Sequence, residues 1–152
     1  MRSLVGLAAS FLLSMVATQL YAASRASDAL DQQEIQAIEA RISQAEPRYQ
    51  CFLYAKLVSD VTRASVEQYA AGNTNKAAGL LRKIQQLAQK IGNTVTRKDK
   101  RLKKAELLLH NTSFRLRELL RSSNYQDRAL VEQTLAEVNQ ADHKAIMQVF
   151  SN

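Results

Sequence analysis

The chain has 152 residues, 46% of them hydrophobic, and a formal net charge of +7. That length holds one hydrophobic core and leaves no room for a second of useful size. One proline and four glycines leave little with which to build hairpins or a phosphate-cradling loop, and the abundant Ala, Leu, Gln, Lys, Arg and Glu are strong helix formers, so the composition favours an all-α chain.

Arg2, an apolar run from Leu4 to Ala17 broken only by Ser10 and Ser14, and small residues at Ala22 and Ala23 predict an export signal over residues 1–23, cleaved near Ala22 or Ala23. The protein is then periplasmic or secreted, with residues 24–152 as one helical domain. The alternative is an uncleaved anchor, because the run stretched to Tyr21 approaches the roughly 18 residues that begin to span a bilayer. Its Ala and Ser content favours removal, and no cysteine follows it to take a lipid.

A short polar stretch, Ser24 to Ser27, leads into a first helix over about Asp28 to Ala45. Asp31 and Glu34 have capping-box spacing, and Ile35, Ile38 and Ile42 form one modest apolar stripe. Pro47 suits the first position of a new helix and disfavours helix just before it, although one kinked rod is an open alternative. The second helix, about Arg48 to Ala71, carries Leu53, Leu57, Val61 and Ala64 on one seam with Tyr54, Val58 and Ser65 beside it. Tyr49, Phe52, Tyr54 and Tyr69 cluster near its two ends and are expected to close the core there, with an aromatic ligand box as the alternative.

Gly72 and Asn73 predict a left-handed cap and an immediate reversal into a third helix, about Thr74 to Ile91, with Ala77, Leu81, Ile84, Ala88 and Ile91 inward. Gly92 and Asn93 are expected to be a second stop of the same kind. The residues Tyr69, Gly72, Ala77 and Leu81 resemble the turn of a tetratricopeptide helix pair. The resemblance covers one helix-turn-helix, with no second copy at the period of about 34 residues. It implies two tightly packed antiparallel helices and carries no peptide-binding residues.

The fourth helix begins near Arg97 and includes Leu102 to Arg121. Leu102, Ala105, Leu109, Thr112, Leu116 and Leu119 recur at steps of three and four, the seam of a helix lying along another. Leu107, Leu108, Phe114 and Leu120 widen the seam, which predicts neighbours on more than one side. Ser122 to Asn124 break the pattern, Ser123 and Gln126 have capping spacing, and a last helix follows from about Tyr125 to Phe150 with Val131, Leu135, Val138, Ala145 and Val149 as its stripe. The expected architecture is an antiparallel four-helix up-down-up-down bundle with coiled-coil-like seams and the additional N-terminal helix laid against it. Such a chain is similar to short secreted bacterial helical proteins.

Charge is unevenly placed. Residues 76–121 hold thirteen Lys and Arg against three acids, a net of +10, whereas residues 28–67 hold four against seven. Arg97, Lys98, Lys100, Arg101, Lys103, Lys104, Arg115, Arg117 and Arg121 are therefore the expected contact surface for an anionic envelope component. Lipid headgroups, wall polymers and nucleic-acid phosphates share the same counterion-release physics. Nucleic acid has no motif in its favour, since no groove-reading pattern occurs and no aromatics alternate with the basic residues. The competing expectation is a solvated face turned toward the acidic helices of the same bundle.

Candidate chemistry is sparse. Cys51, the one cysteine, cannot staple the chain internally. It sits in the apolar run CFLYAKLV, where burial competes with an intermolecular disulfide joining a homodimer. His110 lies one turn after Glu106 and His143 follows Asp142, without the spacing of a di-metal carboxylate bundle, a HExxH zinc site or a haem site. No serine stands in a nucleophile elbow. Asn111-Thr112-Ser113 has the form of a glycosylation site but falls inside a core helix. The sequence thus predicts a non-enzymatic binding protein without a cofactor. An adaptor that self-associates, or binds a protein partner through apolar helix faces, is the alternative, and an enzyme built from scattered residues is the third.

Overall fold

A computed structural model describes residues 30–95 and 101–151. Those residues form five helices and no strand: α1 Gln32–Gln44, α2 Pro47–Ala70, α3 Thr74–Thr94, α4 Leu102–Ser122 and α5 Tyr125–Phe150. The expected signal segment, the expected helix start at Asp28 and the cluster Arg97, Lys98 and Lys100 lie outside the described residues.

Local chemistry sets the helix ends. The Asp31 carboxylate accepts from the Glu34 backbone N–H at 2.7 Å, so α1 starts at Gln32 with its first-turn donors capped. Ala45 is extended, Glu46 is non-helical with ψ 133, and Pro47 takes the first turn of α2, which makes two separate helices of what a kinked rod would have joined. At the end of α2, Gly72 has φ +81, its N–H donates to Tyr69 O at 3.0 Å, and the Asn73 N–H donates to Gln68 O at 2.9 Å. That is a Schellman cap, and its left-handed residue is one that glycine adopts without strain.

Three expected boundaries move, the first being the start of α4, expected near Arg97 and found at Leu102 with Arg101 as its N-cap. Gly92 does not stop α3, which continues to Thr94. Its backbone stays helical, and Gly72 is the glycine with positive φ among the described residues, so Gly92 is not a left-handed cap; the neighbour an added Cβ would meet is the flexible end of the Lys144 side chain. The cap of α5 is Asn124, whose side chain accepts from Asp127 N–H at 2.9 Å. Ser123 instead donates its hydroxyl to Leu120 O at 2.9 Å, so it finishes α4.

The four long helices touch in a closed square: α2 packs on α3 and α4, and α5 packs on the same two. Among the described residues α3 and α4 share no packing contact, contrary to the expectation that each helix lies beside the next. The stretch from Val95 to Arg101 can reach roughly 20 Å, enough to cross the ~14 Å diagonal of helices spaced about 10 Å apart. The guanidinium of Arg101 lies over the rings of Tyr49 and Phe52 at the start of α2, 5.4 and 5.1 Å from their centroids. At the other end the Asn124 N–H donates to the Tyr69 hydroxyl oxygen at 2.8 Å. Helices α2 and α4 therefore run in the same direction, with aromatic residues at both ends of their contact. Midway, Gln85 on α3 donates to Thr134 Oγ1 on α5 at 3.0 Å.

Inside the square lie Tyr54, Leu57, Val58 and Val61 of α2, Leu81, Ile84, Leu87 and Ile91 of α3, Leu109 and Leu116 of α4, and Val131 and Val138 of α5. At ~1.5–3 kcal/mol for each large aliphatic side chain buried, these seams are the main source of stability. Cys51 is fully buried within them. Bridging it to a second copy would require α2 to open.

Helix α1 lies over the α2 and α3 side. Ile35 and Ile42 are buried and Ile38 partly so. Glu39 joins Lys83 at 2.6 Å and also binds Lys90. Burial alone would raise the Glu39 pKa, but the hydrogen bonds from Lys83 and Lys90 outweigh it and hold the carboxylate below its ordinary range. This link therefore stabilises the fold above the ordinary Glu range and is lost as pH falls through the lowered value. Gly79, inside α3, faces Gln32 at 3.9 Å, an ordinary contact distance for an added Cβ. Gly79→Ala should raise unfolding free energy by about 0.5–1 kcal/mol in urea denaturation, because alanine lowers the entropic cost of the helix without a clash.

Candidate functional site

Helix α4 and its N-cap Arg101 carry the expected contact residues that the structure describes. Its core side holds Leu102, Ala105, Leu109, Thr112, Ser113, Leu116 and Leu119, all buried. The widened seam is corrected in part: Leu108 and Leu120 pack against the core, but Leu107 and Phe114 are 57% and 58% exposed. They lie seven residues apart on the side opposite the seam, because each corner helix of a square has neighbours on two sides and water on the rest. Leu107 and Phe114 thus form an apolar ridge along the outer face.

The basic residues divide around that ridge. At about 100° per residue, Lys103, Arg117 and Arg121 fall on the flank toward α5, and Lys104 and Arg115 on the flank toward α2. All five are exposed. Arg121 pairs with Glu118 at 2.5 Å, and Arg101 sits over Tyr49 and Phe52 at the helix start. Lys103, Lys104 and Arg115 make no ion pair among the described residues. By contrast, Lys83 and Lys90 of the basic half are taken up by Glu39, so internal neutralisation accounts for α3 better than for α4.

Beside the ridge an open groove of about 650 Å³ separates the C-terminal halves of α2 and α4. Val66, Tyr69, Ala70, Phe114 and Leu119 give it an apolar lining, and Arg63, Glu67, Arg115 and Glu118 stand along it. The sequence did not single out this groove. It arises from two parallel helices whose pairing no local spacing encodes.

The α4 and α5 interface contains a polar defect. Asp142 is 8% exposed, and its Oδ1 and the buried Ser113 Oγ have no hydrogen-bond partner among the described residues. Asp142 Oδ2 lies 3.9 Å from His110 Nδ1. Burial raises the Asp142 pKa, Glu106 adds to the rise, and His110, Arg117 and His143 oppose it. A carboxyl whose folded pKa is raised stabilises the fold below its unfolded value, near 3.8, and loses that contribution as pH rises through the folded value. Asp142→Asn should therefore add about 1 kcal/mol of stability at neutral pH, with the gain shrinking toward pH 3 in urea titrations.

No group of three or more His, Cys, Asp or Glu side chains is placed to hold a metal ion among the described residues. No described helix is long and apolar enough to cross a membrane. What the fold and this face define is an all-helical bundle with a mixed apolar and basic outer helix. No family model, curated protein or solved structure matches the chain.

Proposed function

We propose that this protein is an exported, non-enzymatic up-down-up-down bundle that rests on an anionic lipid surface through the outer face of α4. The observation that carries the reading is the exposed Leu107 and Phe114 ridge with Lys103, Arg117 and Arg121 on one flank and Lys104 and Arg115 on the other. Apolar side chains flanked by Lys and Arg suit a bilayer interface, where the first enter the acyl boundary and the second meet headgroup phosphates. A hydrated wall polymer or nucleic acid would match the charges and leave the ridge in water. Arg97, Lys98 and Lys100 precede this helix in sequence and would add charge at its start. The export signal predicted over residues 1–23 would deliver the bundle to such a surface.

Co-sedimentation with phosphatidylglycerol vesicles tests the proposal. Binding is expected to fall steeply with salt, as basic residues near an anionic surface require, and phosphatidylcholine vesicles should retain little protein. Equal retention by both vesicle types would overturn it. A second reading, self-association or binding to a protein partner, rests on Met147 and Phe150, exposed at the end of α5. A dimer in sedimentation velocity that Phe150→Ser abolishes would favour it.

A further inference from the structure

We infer that the groove between α2 and α4 takes one acyl chain of an anionic phospholipid from the surface on which α4 rests. The inference deepens the lipid reading above and depends on it. Three observations converge. The groove is apolar along Val66, Tyr69, Ala70 and Leu119, and its volume of about 650 Å³ lies within the ~300–1,000 Å³ common for small-ligand sites. Phe114 belongs both to the groove wall and to the exposed ridge, so the groove opens directly beside the ridge. Arg115 stands on the wall without an ion pair among the described residues.

Charge fixes the orientation of the ligand. Because α2 and α4 run in the same direction, Arg63 and Arg115 mark the end of the groove nearer the middle of the bundle, and Tyr69, Ala70 and Ser122 mark the end nearer its tip. Glu67 and Glu118 stand between them. Glu118 is held by Arg121 and Arg63 by Asp60 at 2.9 Å, which leaves Arg115 as the cation with capacity for a phosphate. The Glu67 carboxylate disfavours an anion one turn further on. The headgroup phosphate therefore sits at Arg115 and the chain runs over Ala70 toward the bundle tip.

The test is calorimetric titration of the full chain with three probes: oleoyl lysophosphatidic acid below its micelle concentration, monooleoylglycerol, and glycerol 3-phosphate. Saturable one-site binding of the first is expected, with the second at least tenfold weaker and the third undetectable. Ala70→Phe, which fills the groove from an exposed position, should weaken the first at least tenfold and leave vesicle co-sedimentation undiminished. Arg115→Gln should bring the first probe down toward the second. No binding of lysophosphatidic acid, equal binding of the uncharged lipid, or indifference to Ala70→Phe would each overturn the groove assignment, as would a groove that takes a partner helix and none of the three probes. Vesicle binding that persists in those cases would leave the surface reading standing, whereas lysolipid binding without vesicle binding would remove the surface and keep the groove.

Discussion

Changing Lys103, Lys104, Arg115 and Arg117 to glutamine together should weaken binding to phosphatidylglycerol vesicles by about a thousandfold at low ionic strength. Each basic residue near an anionic bilayer contributes ~1 kcal/mol, and ~1.4 kcal/mol is a factor of ten, so four such losses amount to roughly three decades. The four side chains are exposed and lie on the two flanks of α4, so the fold should survive their neutralisation. Helical circular dichroism unchanged from the parent would show that it has. Compared charge for charge, Lys103→Gln alone should lower affinity about fivefold, whereas Arg82→Gln, an exposed change on α3 that removes the same single charge, should lower it less than about twofold. An equal effect from Arg82→Gln and Lys103→Gln would mean that binding follows overall charge and that α4 has no special place in it.

The second large effect is on stability and comes from the same helix. Leu109 is fully buried, whereas Leu107, two residues earlier, is 57% exposed. Leu109→Ala should cost about 3 kcal/mol in urea denaturation, because it removes buried methyl groups and leaves a cavity that its neighbours fill only in part. Leu107→Ala should change stability by less than ~0.5 kcal/mol. The same Leu107→Ala change should weaken vesicle binding, since the ridge loses apolar area. Stability and binding thus separate on two leucines of one turn.

That pair also shows how far the amino-acid sequence could be followed. Steps of three and four located the inward seam of α4 with few errors, since burial on a corner helix follows helical period directly. The pattern could not say which extra apolar residues were core. Leu108 and Leu120 flank the seam and pack inward, while Leu107 and Phe114 lie opposite it. Their seven-residue spacing was a signal available from the start, because a second stripe facing away from the first belongs on the surface. Asp142 was legible in the same way. It falls four residues after Val138 and three before Ala145, both buried, so the stripe that placed them also placed a carboxylate at the interface.

Other features had no local signature. The diagonal placement of α3 and α4 depends on how four helices share one core, and turn lengths do not encode it. The groove between α2 and α4 inherits that dependence, because Arg63 and Arg115 become neighbours along it only once the two helices run side by side. Gly92 resembled a helix stop because glycine serves both a left-handed cap and a close crossing. Its helical backbone, with no positive φ such as Gly72 has, rules out the cap. Turn chemistry was more dependable where a side chain or backbone group closed the helix itself, as at Asp31, Pro47 and Gly72.

The chain contains no tryptophan, which allows a single reporter to be placed at will. Phe114→Trp in the full chain, mixed with phosphatidylglycerol vesicles carrying brominated acyl chains, interrogates the outer face of α4 directly. Docking through that face predicts a blue-shifted emission strongly quenched by the bromines, with a tryptophan at Arg82 on α3 unquenched under the same conditions. Emission from position 114 that stays water-like and unquenched while the protein sediments with the vesicles would contradict it.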